Sequence, residues 1–405
     1  MPEPAVAASP GSDLPAWVLL NTRGCPDRHL NATTAGAVTS AGHPIEVSFQ
    51  LVDPPSLSRC FFHYAGPTSG SGRYTAAACV TGADGAFLLV RCSFPDPRGG
   101  SWMHNDVFVY RAGPGGPSLD LLPRPYPIQL HKDHVAVLSC DGGDHCLVVM
   151  PRPRFDPTMV YDMHVFSTRT NSWSTKVARV AHGMKYVALL QPSRVFSLRG
   201  GGFMAWVDTT HGILLCNVLD ADPEVRLIEL PPLLPSNEEL FEMSPLDPVR
   251  EVTFSDGCFR FIEMEYPGMD DDNPHCQFRW TATMFKRTID DSSENWELCR
   301  TVDSAELSPA DSCFADLFPQ IWDGEEKRLT LDKVLSQFLT LDMYNEDVVY
   351  IKSKLNACDT NGWMLKVDTR NNKIERVPPF FAEMAYYVCT VQQCDFSKYI
   401  THGSG

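Results

Sequence analysis

The sequence of 405 residues lacks several features that mark common protein classes. It has no run of about 18 uncharged apolar residues, so we expect no transmembrane helix and no membrane partner. Its first residues, MPEPAVAASPGSDLPAWVLL, have no basic n-region and contain early prolines, so they do not predict a signal peptide. The 14 cysteines are not densely spaced. Without a secretion signal they predict reduced thiols and a cytoplasmic or nuclear protein.

Basic residues are scarce relative to acidic ones: 34 Lys and Arg stand against 50 Asp and Glu, a formal net charge of −16. Residues 1–200 carry +3 and residues 201–405 carry −19. Nucleic-acid binding depends on Lys and Arg contacts to phosphate, so an acidic chain without a basic run predicts no nucleic-acid partner. The acidity is typical of a solvated surface, or alternatively of a face that selects a basic protein partner.

The sequence also lacks the common catalytic and nucleotide-binding motifs. The glycine-rich segment 66–73, GPTSGSGR, has no Gly-Lys-Ser/Thr, and no dinucleotide fingerprint follows a strand. There is no Gly-x-Ser-x-Gly elbow and no His-Glu-x-x-His. We therefore predict no cofactor and assign no catalytic residue, although a site assembled from distant loops would escape this search.

Short apolar strands separated by turn residues recur along the chain. In five places two apolar strands are joined by a polar turn, and the second strand begins with a large apolar residue. A further strand precedes each of these pairs. The five units are 107–123, 162–180, 213–232, 283–302 and 363–380. Such repetition predicts a mainly β, β-propeller-like fold of five or six blades. WVLLN or IEVSFQL near the start is expected to pair with YYVCTV (386–391) and close a further blade.

Helix is expected only as two short insertions. SPADSCFADLFPQIW has Ser308 as a candidate cap and Pro309 at the first helical position. TLDKVLSQF (330–338) places its apolar residues at helical spacing. We expect one domain over residues 14–398, with a disordered tail at 1–13 and a flexible tail at 399–405.

The stretch 201–220, GGFMAWVDTTHGILLCNVLD, places Asp208, His211 and Cys216 close together. A catalytic cluster is one interpretation. A β-hairpin is the favoured one, because Asp at the start of DTTHG can bond to its own backbone and Gly212 supplies a positive φ. Cys216 lies in an apolar run without the electropositive surroundings of a reactive thiol. Asp208 and His211 remain candidate binding residues.

A second ligand-rich stretch, HKDHVAVLSCDGGDHC (131–146), is the best candidate for a metal site. Its candidate ligands are His131, His134, Cys140, His145 and Cys146. Zinc prefers four nitrogen or sulfur ligands, but this spacing is not that of a standard finger. A hairpin with DGGD as its turn is the favoured interpretation.

Carboxylates offer the remaining chemistry. Glu263 and Glu265 alternate on one strand, at a separation that glycoside hydrolysis could use across a cleft. Asp270, Asp271 and Asp272 could bind a cation, but they lack the EF-hand spacing. Solvated carboxylates are the favoured interpretation of both groups.

Several segments of the second half resemble one plant family. They are WVDTTHGILLCNVLDADPEVRLIELPP, GCFRFIEME, WTATMFKR, LTLDKVLS, NEDVVYIKSKL and GWMLKVDTRNNKIERV. They are similar to the domain of unknown function 1618, which is greatly expanded in grasses. The resemblance extends over residues 16–400. It implies no activity, cofactor or catalytic residue, and only an association with stress responses and reproductive development. The strand pattern also resembles kelch and F-box-associated propellers.

These observations favour a monomeric, non-enzymatic protein-interaction module inside the cell, with an unknown protein partner, for which the acidic second half suggests a basic one. The candidate contact loops are 66–73, 113–118, 235–250 and 268–276. The alternative is a glycan-active or other hydrolase with carboxylates around a propeller channel. Carboxylates converging in one central cavity with raised pKa values would favour the enzyme.

Overall fold

The computed structural model describes most of the chain between residues 14 and 400. The described ranges are 14–67, 76–95, 103–124, 135–154, 159–182, 191–198, 200–240, 246–267, 278–289, 295–313, 321–356, 358–381 and 391–400. Among these residues, no helix is long and apolar enough to cross a membrane.

The N-terminal sheet contains both ends of the described chain. Its N-terminal strands are β1 (Val18–Cys25), β2 (Ala35–Val38), β3 (Pro44–Gln50) and β4 (Leu57–Tyr64). β4 runs parallel to β1, while β2 and β3 continue the sheet outward. The last strand of the chain, Val391–Cys394, pairs antiparallel with β1, with Val18 opposite Cys394. The two ends pair through WVLLN as one of the predicted partners, but the C-terminal strand Val391–Cys394 shares only Val391 with the predicted YYVCTV, and residues 386–390 lie outside the described residues.

Five antiparallel meanders of four strands follow, each strand pairing with the next. Meander 1 comprises β5 (Ala77–Asp84), β6 (Phe87–Pro95), β7 (Met103–Arg111) and β8 (Ser118–Leu121). Meander 2 comprises β9 (Ala136–Cys140), β10 (His145–Pro153), β11 (Val160–Ser167) and β12 (Ser172–Val180). Meander 3 comprises β13 (Arg194–Leu198), β14 (Phe203–Asp208), β15 (Gly212–Asn217) and β16 (Glu224–Ile228).

Short elements precede each of the last two meanders. A six-residue helix α1 (Pro235–Leu240) precedes meander 4, which comprises β17 (Arg250–Ser255), β18 (Cys258–Glu265), β19 (Thr281–Thr288) and β20 (Glu297–Asp303). The two-residue strands β21 (Ser308–Pro309), β22 (Trp322–Asp323) and β23 (Arg328–Leu329) come next. Meander 5 comprises β24 (Leu335–Leu341), β25 (Val348–Lys354), β26 (Asn361–Asp368) and β27 (Lys373–Arg376), with β28 (Pro379–Phe381) beside β26. The closing strand 391–394 is β29.

Clusters of buried apolar side chains join consecutive sheets. One cluster lies between the N-terminal sheet and meander 1, and others join meanders 1 and 2, 2 and 3, 3 and 4, and 4 and 5. A further cluster brings Leu19 and Val391 of the N-terminal sheet against Val348, Tyr350 and Met364 of meander 5. The succession of sheets therefore returns to its start, and the pairing of β1 with β29 holds the two ends together.

Strands buried on both faces explain the long apolar runs of the sequence. In meander 3, Trp206 and Leu214 belong to the core shared with meander 2. Their neighbours Val207 and Ile213 belong to the core shared with meander 4. Successive side chains of a strand point to opposite faces, so both sets must be apolar. Burying each such side chain contributes about 1.5–3 kcal/mol.

The mainly β prediction is confirmed, and the five predicted strand pairs fall one to each meander. The blade count of the fold remains a prediction.

The prediction of two helical insertions is wrong where the structure describes them. Residues 335–338 begin β24, which pairs with β25 and has a bulge between Gln337 and Leu339. Phe338 has φ +55° there. Because the bulge breaks the two-residue alternation, the apolar spacing imitates that of a helix. Ser308 and Pro309 form β21 beside β27, and only a 3₁₀ turn follows at Asp311–Cys313; residues 314–320 lie outside the described residues.

Candidate functional site

The hairpin of β14 and β15 holds Asp208 and His211, the first candidate binding residues. Asp208 and Gly212 form its last residue pair, and Gly212 has φ +130°. The buried Asp208 carboxylate accepts bonds from the backbone nitrogens of Thr210 and His211 at 2.9 and 3.0 Å. The His211 ring lies 3.0 Å from the same carboxylate and is half-exposed. Asp208 therefore shapes the turn, and the hairpin interpretation is confirmed.

The nearby Cys216 is not arranged as a nucleophile. It lies within β15, and burial raises the pKa of its thiol to about 12. Because the thiolate is the reactive form, this residue is nearly all protonated at neutral pH.

Three of the metal candidates, Cys140, His145 and Cys146, lie on the hairpin of β9 and β10. His145 lies opposite Cys140 in the register, and Cys146 lies opposite Ser139. Burial raises the pKa of the Cys146 thiol to about 12, which disfavours the thiolate that a metal would need. In the part of the chain that the structure describes, no three His, Cys, Asp or Glu residues are grouped to hold a metal ion. His131 and His134 lie outside that part, so the five-ligand hypothesis stays a prediction.

The candidate carboxylates of meander 4 have different surroundings. The prediction of a solvated carboxylate is wrong for Glu263, which is fully buried because Arg250 of β17 pairs with it, with Nε and Oε2 3.0 Å apart. Its other oxygen accepts bonds from the Leu234 nitrogen at 2.9 Å and the Asn237 side chain at 2.8 Å. Glu265 accepts a bond from the Ser236 nitrogen at 3.2 Å. Both carboxylates thus fasten α1 to β18. The third set of candidates, Asp270, Asp271 and Asp272, lies outside the described residues.

A group of polar side chains surrounds an open space between the first strands of the meanders, and no candidate above belongs to it. The first strands of the meanders approach one another: β5 contacts β9 and β13, β13 contacts β17, and β17 contacts β24. β5, β13, β17, β29 and the turn after β24 line a cavity of ≈ 160 Å³. Its charged lining residues are Asp84, Arg194, Glu251, Asp256 and Asp395. We call this space the central cavity.

Arg194 and Glu251 form a buried ion pair on the wall of the central cavity. Arg194 begins β13 and Glu251 is the second residue of β17, with Nε and Oε2 3.1 Å apart. Arg194 also donates to the carbonyl of Val391 in β29. Burial raises the pKa of Glu251 to about 7, although Arg194 opposes this shift. Glu251 is therefore partly protonated near neutral pH, whereas a glutamate in water is ionised there.

Asp84 joins three first strands at the cavity. It ends β5, and one carboxylate oxygen accepts a bond from the Ser139 nitrogen of β9 at 2.6 Å. The other accepts a bond from the Ser197 hydroxyl of β13, also at 2.6 Å. These short charge-assisted bonds fix the strands around the cavity.

Tyr344 and Asp395 lie together where β29 ends, and we call them the mouth of the cavity; Lys398 lies against both. The Lys398 ammonium donates to the Tyr344 hydroxyl at 2.7 Å and to Asp395 at 3.3 Å. It also lies 4.8 Å from the centre of the Tyr344 ring. The Asp342 carboxylate accepts hydrogen bonds from the backbone nitrogens of Tyr344 at 2.8 Å and Asn345 at 2.9 Å. These bonds hold Tyr344 in place.

The sequence gives a weak signal for these cavity residues. Arg194 opens the short strand RVFSL, and Glu251 follows Arg250 at the start of REVTFS. A charge at the start of an apolar strand indicates either a solvated edge or a lining position. Only the placement of the first strands around one axis distinguishes the two.

Several solved structures are similar to parts of this chain. The complex of the fission yeast SREBP–SCAP binding domains shows 12% identity, with 66% of this chain and 64% of that chain covered and a TM-score of 0.27. This chain thus spans less than two thirds of that one. A putative exo-β-1,3-galactanase from Bifidobacterium bifidum s17 shows 11% identity over 74% and 91%, with a TM-score of 0.29. A B. megaterium levansucrase mutant shows 9% identity over 90% and 93%, with a TM-score of 0.32. These scores are too low to carry an argument.

The family comparison is more informative than these structures. No curated protein matches the chain. Residues 206–350, from the hairpin of meander 3 to the second strand of meander 5, match the protein family of unknown function DUF1618. This match supports the resemblance of this part of the chain to the DUF1618 family.

Proposed function

We propose that the chain is a non-enzymatic protein-interaction module that binds a basic segment of a partner at the mouth of the central cavity. In this proposal the N-terminal sheet and the five meanders are six blades of a propeller, and β5, β9, β13, β17, β24 and β29 line its axis. The observation that carries the proposal is the acidic lining of the cavity. Four carboxylates stand there against one guanidinium.

The cavity also offers apolar surface beside its charges. Phe196, Phe254 and Tyr344 belong to its lining. Aromatic rings attract cations through their faces, and carboxylates attract them directly. A Lys or Arg side chain presents an alkyl stem and a cationic head, which suits such a lining. The net charge of −16 adds a field that attracts basic partners over a longer range.

The carboxylates are held in ways that fit binding better than catalysis. Asp84 joins strands, Glu251 faces Arg194, and Asp395 faces Lys398 and Tyr344. Glycoside hydrolysis by two carboxylates needs one protonated and one ionised group on either side of the same bond. Each of these three carboxylates instead accepts a hydrogen bond from another group of the protein.

A basic peptide tests this proposal. Fluorescein-labelled hexalysine is expected to bind the protein, hexaglutamate is not, and raising the salt concentration should weaken binding because exposed charges are screened. The variant D256N/D395N, which neutralises two cavity carboxylates, should bind hexalysine about tenfold more weakly. The control E297Q/E306Q neutralises two exposed carboxylates of meander 4 and its edge, outside the cavity lining.

Fluorescence anisotropy titrations of the three proteins decide the matter. Equal affinities of the cavity and control variants would place hexalysine on the general acidic surface and overturn the proposal. Absence of hexalysine binding to the wild-type protein would also overturn the proposal.

The convergence of carboxylates on the cavity, with the raised pKa of Glu251, favours a second candidate function, a glycan-active or other hydrolase. A buried carboxyl with a pKa of about 7 could donate a proton to a leaving group at neutral pH. Incubation with a panel of 4-nitrophenyl glycosides tests this candidate. Turnover by the wild-type protein that Glu251→Gln abolishes would support it, and absence of turnover across the panel would count against it.

A further inference from the structure

We infer that the mouth of the cavity is a binding site for the ammonium group of a lysine side chain, and that Lys398 occupies this site within the same chain. The inference rests on the proposed function and specifies the group that is recognised. It also adds a regulatory contact, because a partner's lysine must displace Lys398 before it can bind.

The contacts of Lys398 show what the site recognises. Its ammonium meets a phenol oxygen at 2.7 Å, a carboxylate oxygen at 3.3 Å and the face of an aromatic ring at 4.8 Å. These three partners together complement a cation and its alkyl stem. Tyr344 supplies the ring and the phenol, and Asp395 supplies the carboxylate.

Two fixed elements hold the receiving groups. Asp395 is largely buried and lies between the buried residues Cys394 and Phe396. Phe396 packs 5.0 Å from Phe49 and so anchors this part of the chain in the core of the N-terminal sheet. Tyr344 is fixed from the other side by Trp17, whose ring is edge-on to it at 6.3 Å. The receiving groups therefore stay in place when the cation is exchanged.

The occupying group, by contrast, is easy to displace. The Lys398 side chain is 40% exposed and lies on the 3₁₀ turn Phe396–Tyr399. Exposed ion pairs and exposed cation–π contacts are each weak. A competitor in the same chain nevertheless lowers the apparent affinity for an outside lysine, because the free site is populated only part of the time.

A monovalent probe separates this competition from general attraction. The probe is Nα-acetyl-lysine N-methylamide, titrated by NMR against the full chain, with the norleucine analogue as its uncharged counterpart. Lys398→Ala should bind the lysine probe at least about fivefold more tightly than the wild-type protein, and Lys398→Arg should bind it as the wild-type protein does. The norleucine analogue should bind neither variant.

The matched control is Lys286→Ala, because Lys286 is an exposed cation of β19 outside the cavity lining. It changes the net charge by the same amount and should leave the affinity unchanged. Equal affinities of Lys398→Ala and Lys286→Ala, or no binding of the lysine probe to either, would overturn the inference. If hexalysine still binds the wild-type protein in that case, the proposed function stands. If hexalysine binding is also absent, the proposed function fails as well.

Discussion

Arg250→Ala is expected to lower the free energy of unfolding by about 3–5 kcal/mol, because it leaves the buried carboxylate of Glu263 without its cation. Arg250 also donates to the carbonyls of Thr209 and Pro231, both at 2.7 Å. It thereby joins the hairpin of meander 3, the segment before α1 and the first hairpin of meander 4. Its loss removes all three connections. Urea denaturation followed by circular dichroism measures the effect.

Two variants separate the unpaired charge from the loss of packing. The double variant R250A/E263Q should recover part of the lost stability, since the remaining side chain at position 263 is uncharged. Arg28→Ala removes the exposed ion pair with Glu46 and should change stability far less than Arg250→Ala does. A result in which Arg250→Ala costs as little as Arg28→Ala would show that Arg250 is not the buried support described above.

Glu251→Gln is expected to remove a pH dependence of stability worth about 3 kcal/mol, from a pKa shifted from 4.5 to about 7. The folded state holds the Glu251 proton more tightly than the unfolded state does. Glu251 therefore favours folding fully below pH 4.5, and this contribution disappears as the pH rises to about 7. The wild-type protein should lose stability over this range relative to Glu251→Gln.

The difference between the two unfolding curves isolates this single group from other titrations. Denaturation of both proteins at pH 5, 6, 7 and 8 gives that difference directly. A difference that stays constant with pH, or one that grows in favour of the wild-type protein, would contradict the raised pKa. Asp162, whose pKa Arg154 lowers, supplies the opposite control. Asp162→Asn should cost stability near neutral pH and less as the pH falls.

Strand pairs with strong local signals could be predicted from the sequence. Unit 213–232 predicts β15 and β16, because its two apolar runs are separated by a polar turn and the runs are too apolar for a one-sided sheet. Asp208 and Gly212 predict the preceding hairpin for the same local reason: one bonds to backbone nitrogens and the other adopts a positive φ.

The first strands of the meanders could be predicted less well, because tertiary contacts determine them. The apolar spacing of residues 330–338 predicts a helix, but residues 335–338 begin β24, where a bulge at Phe338 produces that spacing. Its strand form depends on β25 and on the buried bond between the Ser336 and Ser353 hydroxyls at 2.8 Å. The central cavity joins Asp84 to Asp395, which are more than 300 residues apart in sequence. No local sequence pattern indicates that two residues so far apart in the chain lie close together.

The location of a bound basic peptide tests the central claim most directly. Hexalysine with a single photoreactive benzophenone group can be cross-linked to the protein and its attachment sites mapped by mass spectrometry. We predict cross-links to the turns around the mouth of the cavity, at residues 83–86, 343–347 and 395–399, and their loss in D256N/D395N. Cross-links spread over the outer strands of meanders 4 and 5, unchanged in that variant, would contradict the account.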